Sequence, residues 1–373
     1  MSSDVSQRVR FFPRVMVAVA VQEASGSSTQ LYHVYHSNRA IVSDLWLSPI
    51  WVKEVWKPSK VDGRVETNAH LSSMRLINVK ACLERESLIK EEKQVGCRTK
   101  VLEFTDDEAT EYAILSHRWI AQEVDYTEMV ELAKMNKERD EIRQRDGYRK
   151  ILQSCKQAQK DGYEWLWVDT CCIDKRSSSE LSEAINSMYR WYENAKVCYA
   201  YLHDVPDPWF PAASDDERYP DFSGWPEWFS RGWTLQELIA PSNVQFLNKD
   251  WQSIGDKTTL APTLRKITGV PEHILIHGLG GNRPCIAQIM SWAANRTTTR
   301  VEDRAYSLMG LLDVNMPMLY GEGKKAFHRL QLEIIRASND QSSLHGIPAW
   351  KRSSLAVFLR MTRATSRIVV EWS

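Results

Sequence analysis

The 373-residue chain carries 48 Lys plus Arg against 48 Asp plus Glu, with 43% hydrophobic and 26% charged residues. This is ordinary globular usage and excludes wholesale disorder, while zero net charge gives no overall field to gather nucleic acid or anionic lipid. No apolar run reaches the roughly 18–20 residues that span a bilayer, so neither a membrane nor a nucleic-acid partner is expected.

Residues 1–73 read as an unassigned N-terminal extension, poorly patterned apart from "VMVAVAV" at 15–21, which reads as a strand, and the spaced Trp46, Trp51 and Trp56. Residues 74–250 read as an α/β core. In it "YAILSH" (112–117) has strand length, and Tyr148, Ile151, Leu152, Cys155 and Ala158 recur at helical spacing up to Asp161-Gly162. "WLWVDT" (165–170) is the next strand. Ser177 and Glu180 then form a candidate capping box before an apolar stripe running from Leu181 to Ala195. "VCYAYL" (197–202), a third helix within "WFSRGWTLQELIAP" (228–241) and a strand at "VQFL" (244–247) complete the pattern. Strand-helix alternation of this kind predicts a mostly parallel sheet covered by helices. Residues 251–345 read as a helical C-terminal part, with helices at "VEDRAYSLMGLL" and "KKAFHRLQLEIIRAS", and 346–373 as a tail with a local basic bias.

Open parallel sheets bind ligands outside the carboxyl ends of their strands. There the sequence puts Ser116-His117-Arg118-Trp119, then Asp169 through Asp174, then His203-Asp204, with Arg231, Trp233 and Glu237 on the helix that follows. Trp233 and Glu237 lie four residues apart and would share a helix face. Glu237 has two readings: a structural carboxylate neutralised by Arg231 or another cation, or a chemical one that holds a sugar hydroxyl and stabilises an oxocarbenium-like charge.

Other motifs carry less. "YGEGKK" (320–325) has Met318 where a phosphate loop needs its first glycine and Lys325 where it needs Ser or Thr. "GLGGN" (278–282) is followed by Arg283 at the third glycine position of a dinucleotide fingerprint. Ser116 and His117 are adjacent on a strand and point to opposite faces, which disfavours a nucleophile-base pair. Asp169, Cys172, Asp174 and His203 have no spacing that requires a metal, and the expectation is none. Seven cysteines without a C-x-x-C pair point to a reducing, cytoplasmic setting.

Five blocks in order resemble the fungal heterokaryon-incompatibility (HET) domain over Met74 to about Ser343. They are "MRLINVKACLERE", "YAILSHRW", "WLWVDTCCIDKRSSSELSEAINSMYRWYENAKVCYAYLHDV", "WFSRGWTLQELIAP" and "EDRAYSLMGLLDVNMPMLYGEGKKAFHRLQLEIIRASNDQS". Met74 looks like a natural family start, which makes residues 1–73 a candidate gene-model addition. The family looks like a remote relative of Toll/interleukin-1 receptor (TIR) domains. The resemblance implies a flavodoxin/TIR-like sheet and a role in fungal self/non-self recognition, programmed cell death and innate immunity.

Many TIR domains cleave NAD with a glutamate in a W-x-x-x-E helix, and that pattern falls on Trp233 and Glu237. By the same resemblance Glu237 is the catalytic candidate. Ser116, His117, Arg118, Trp119, Asp169, Asp174, Arg231 and Trp233 would line the nucleotide, with Arg118 or Arg231 meeting its pyrophosphate. NAD would be a substrate and no cofactor is expected. The chain departs from the family after the first strand, where His117-Arg118-Trp119-Ile120 lacks the common glycine, and at Lys175, where Gln is common. Three readings stay open: a nucleotide glycohydrolase acting as a cell-death effector, a non-catalytic module that assembles with like domains or other incompatibility proteins, and a degenerate member without activity.

Overall fold

The computed structural model describes residues 17–22, 29–34, 73–91, 100–120, 122–133, 140–220, 223–280 and 283–340. The chain divides into two units, Met1–Ala69 and His70–Ser373. In the first, β1 (Val17–Gln22) pairs antiparallel with β2 (Thr29–Val34). The predicted strand at 15–21 is thus found from Val17 onward. Trp46, Trp51, Trp56 and the basic tail lie outside the described residues.

The second unit is built on a seven-stranded sheet. Its strands are β3 (Ser73–Asn78), β4 (Leu102–Asp106), β5 (Tyr112–His117), β6 (Trp165–Trp167), β7 (Val197–Tyr201), β8 (Val244–Leu247) and β9 (Ser253–Asp256), in the spatial order β4-β3-β6-β5-β7-β8-β9. The pairs β5·β6, β5·β7 and β7·β8 are parallel, and the outer pairs at both margins are antiparallel. The predicted α/β class with a mostly parallel centre is therefore present. All six residues of β5 are buried, as expected of a strand covered on both faces.

The parallel strands follow chain order 2-1-3-4 across the sheet, so the direction of winding reverses between β5 and β7. Right-handed crossovers then put successive helices on opposite faces. Helix α1 (Val79–Lys90) packs on α4 (Asp146–Lys160), the β5-to-β6 crossover. Between them in sequence come α2 (Tyr126–Ala133) and the short α3 (Asp140–Arg143). Helix α5 (Ser178–Asn194), the β6-to-β7 crossover, packs on α6 (Thr234–Ile239). Ser177 caps α5 by accepting from the Glu180 amide at 3.3 Å, but the predicted capping box is not closed, because the Glu180 carboxylate accepts from the Asp174 amide and pairs with Arg75 instead.

The rest of the unit is helical: α7 (Ala261–Thr268), α8 (Glu272–His277), α9 (Ile286–Ala293), α10 (Asp303–Tyr306), α11 (Met309–Leu312) and α12 (Lys325–Asp340). The single helix expected over 301–312 is two short ones, separated at Ser307-Leu308. The abundant aromatics fill the core. Trp167 sits 5.7 Å from Trp191 and 5.9 Å from Tyr192, while Trp228 joins Phe229 and Phe246.

Candidate functional site

The alternation of β5 decides what each of its last residues can reach. Tyr112, Ile114 and Ser116 face the α5/α6 side, where the Tyr112 hydroxyl donates to the Trp191 carbonyl at 2.6 Å. His117 faces the α4 side and meets Lys150. Two polar networks thus grow from adjacent residues on opposite faces of the sheet end, and Ser116 and His117 do not form a nucleophile-base pair.

On the α4 side the charges are matched. Lys150 is an ammonium donor, so its 2.9 Å contact to His117 Nδ1 makes that nitrogen an acceptor and puts the ring proton on Nε2, which donates to Asp169 Oδ1 at 3.0 Å. Lys150 also donates to the Arg118 carbonyl at 3.1 Å and pairs with Glu123. Burial lowers the Lys150 pKa, and the Glu123 charge offsets this. The second Asp169 oxygen accepts from the Trp119 indole at 2.8 Å, and the Lys175 ammonium lies 3.8 Å from that ring's centroid. Burial works against ionisation of Asp169, but the His117 hydrogen bond and the nearby cations hold its carboxyl below the usual range. Trp119 remains 44% exposed at the rim.

On the α6 side the chain does not form the single helix expected over 228–241. A 3-10 turn (Glu227–Ser230) ends at Arg231, which is extended at φ −83° and ψ 140°, and α6 begins only at Thr234. The interruption comes from a close backbone approach. Gly232 N donates to the Thr297 carbonyl at 2.8 Å, and a Cβ at Gly232 would lie 2.5 Å from the Thr298 methyl. Arg231 is therefore off the helix that carries Glu237. Trp233 and Glu237, though four residues apart, serve different neighbours. Trp233 lies beside Asp303, whose carboxyl accepts from the Tyr320 hydroxyl at 2.9 Å.

Glu237 sits in the first turn of α6, only 8% exposed. The Ser116 hydroxyl donates to its Oε2 and accepts from the Trp228 indole at 2.8 Å. The Tyr192 hydroxyl, near the carboxyl, donates to the Leu115 carbonyl at 3.3 Å. Among the described residues no cation touches the carboxyl, against the reading in which Arg231 or another cation neutralises it: its hydrogen-bond partner is the neutral Ser116 hydroxyl, and Arg231 and Arg296 act only through space. Burial consequently pushes the Glu237 carboxyl up from 4.5 to about 8, helped by the Asp169 charge and opposed by the Ser116 hydrogen bond and the two arginines.

The remaining predicted residues go elsewhere. Arg118 is committed to an ion pair with Glu227, whose other oxygen lies 3.7 Å from His203. Asp174 pairs with Arg176, and its amide donates to Glu180, itself bonded to Arg75. Cys172 Sγ accepts from the Val168 amide at 3.4 Å. Among the described residues no group of three or more His, Cys, Asp or Glu could hold a metal ion. Tyr192, Lys150, Glu227, Asp303 and Arg296 are members of these networks that the sequence did not single out. Only Tyr192 had a signal, being the one hydroxyl on the stripe facing the sheet.

Fold and site thus define an α/β domain wound about a switch point between β5 and β7, with a buried carboxyl at the strand ends. Residues 112–207 match the family model described as heterokaryon incompatibility protein (HET), and the chain carries a HET domain. It is 44% identical over 226 residues to vegetative incompatibility protein HET-E-1 of Podospora anserina, an alignment covering 60% of this chain and 16% of that protein. The chain therefore matches about a sixth of that relative's length. No solved structure matches. Ser116, His117 and Asp169 lie inside the family match, whereas Arg231, Trp233, Glu237 and Arg296 follow it in sequence. No described helix is long and apolar enough to cross a membrane.

Proposed function

We propose that this HET-domain chain acts in heterokaryon incompatibility as a cell-death effector of fungal self/non-self recognition, and that Glu237 makes it a TIR-like NAD glycohydrolase. The observation that carries the reading is a buried carboxyl with no ion-pair partner among the described residues, beside the switch point of a parallel sheet and bonded by Ser116. In its ionised form it would hold the ribose hydroxyls and stabilise the oxocarbenium-like charge that builds as the glycosidic bond to nicotinamide breaks, with water taking the anomeric carbon. The nicotinamide leaves as a neutral base, so no separate acid is required. Trp119 at the rim and Trp233 beside α6 would border the nucleotide. Arg118 and Asp174, committed to Glu227 and Arg176, are left out of the binding set.

A second reading rests on the same burial. At 8% exposure Glu237 could instead be a polar element of the core, and the domain a non-catalytic module that assembles with like domains or other incompatibility proteins. The test is nicotinamide release from NAD by the full chain at high protein concentration, wild type beside Glu237→Gln. Release by the wild type alone supports the hydrolase. No release from a folded wild-type protein, assembled or not, favours the module.

A further inference from the structure

Arg296 follows α9 in a stretch without periodic pattern, and the fold carries it into the segment that leads to Glu237. Its side chain is anchored at one end only. Nη1 donates to the Arg231 carbonyl at 2.9 Å and to Thr234 Oγ1 at 2.8 Å, so the guanidinium is fixed against the start of α6. Nη2 is shut off from solvent, the residue being only 6% exposed, and has no hydrogen-bond partner among the described residues. A buried guanidinium with an unused N–H edge is costly to keep without a partner.

Arg231 presents a second such group. Its carbonyl is used by Arg296, yet its half-buried guanidinium makes no hydrogen bond or ion pair among the described residues. Both arginines are felt at the Glu237 carboxyl, and neither touches it. That carboxyl is bonded by the Ser116 hydroxyl and forms no ion pair with either arginine among the described residues, so it is not the missing counter-charge. Two cationic side chains, linked where Arg296 Nη1 holds the Arg231 carbonyl, thus keep N–H groups unanswered among the described residues, which suits bidentate recognition of phosphate oxygens.

We propose that Arg296 and Arg231 form the anion-receiving half of the Glu237 site and take the pyrophosphate of a phosphorylated ligand. This names the substrate's charged part and rests on the reading of Glu237 as a functional carboxyl. Arg296 holds the oxygens from within and fixes the Arg231 turn at the same time, while Arg231 closes from the half-exposed side. Neutral nucleosides, lacking the anion, would not be held.

The experiment is a calorimetric titration of the full chain with inorganic pyrophosphate, for wild type, Arg296→Lys, Arg231→Gln and Glu237→Gln, with thermal unfolding of each as a check on the fold. Wild type is expected to bind saturably, and loss of one fork should weaken binding by about 10–100-fold. Glu237→Gln should bind at least as well as wild type, because it removes a negative charge. Arg231→Gln, at a half-exposed position, keeps the test valid should Arg296→Lys fail to fold. Absence of saturable binding to wild type, or wild-type affinity in both arginine variants, overturns the proposal. The readout needs no turnover, so it separates the two claims. Nicotinamide release that depends on Glu237, together with unchanged pyrophosphate binding in the arginine variants, would remove the anion site and leave the hydrolase standing.

Discussion

The two faces of the sheet end treat charge in opposite ways. Behind His117, on the α4 side, each charged group is answered: Lys150 by Glu123, and Asp169 by the His117 and Trp119 N–H groups with Lys175 nearby. Behind Ser116, on the α6 side, a carboxyl is bonded by a neutral hydroxyl, and the Arg296 guanidinium keeps a buried N–H group without a partner among the described residues. Matched buried charges fix geometry, since each member would be expensive to leave alone. Unmatched ones are tolerated where a ligand completes them, which makes the α6 side the functional candidate and the α4 side its support.

The largest effect should come from breaking the matched side. Lys150→Met leaves Glu123 without its cation and His117 Nδ1 without its donor, and should cost about 3–5 kcal/mol in urea unfolding. A loss below 1 kcal/mol would mean that this network is not structural.

On the unmatched side the signature is a pH slope. The Glu237 carboxyl is raised from 4.5 to about 8, so between these values the folded state holds more protons than the unfolded chain. Its contribution is full below about pH 4.5 and is lost as pH rises through about 8. Unfolding curves of wild type and Glu237→Gln across this range should therefore diverge, the variant becoming the relatively more stable as pH rises. Parallel curves would place Glu237 among ordinary carboxylates.

Gly232→Ala should cost about 1–3 kcal/mol, because the added methyl meets Thr298 and pushes apart the contact that positions Arg231. The smallest effect is expected from Ser177→Ala. Loss of the α5 cap should cost about 1 kcal/mol while leaving both networks and the pyrophosphate affinity unchanged, which makes it the control for the others.

The sheet centre was legible because its signals are local. Apolar runs at 112–117 and 197–202, the α5 stripe and its cap each state their own structure. Strands β3, β4 and β9 were not, since a marginal strand such as "LEFTD" has no apolar run and alternates over only four residues, and is stabilised by pairing across the sheet. The order of polar residues at the strand ends was readable, and Ser116 and Glu237 do meet, across 121 residues of sequence. Their partners were not readable. Arg118 pairs with Glu227 and Asp174 with Arg176 through loop geometry, and Arg296 arrives from a region whose only sequence mark is polarity. The break at Arg231-Gly232 was hidden for a similar reason: the glycine is required by Thr298, 66 residues later, and not by a turn of its own.

The most direct test of the unmatched carboxyl is carbon-13 NMR of the full chain with glutamate side-chain carboxyls labelled, titrated from pH 4 to 9 for wild type and Glu237→Gln. One signal that titrates near 8 in wild type and is absent from the variant is the expected result. A Glu237 signal that titrates in the ordinary carboxylate range would contradict a buried, uncompensated carboxyl at the strand ends, and with it the case for Glu237 as the chemical group.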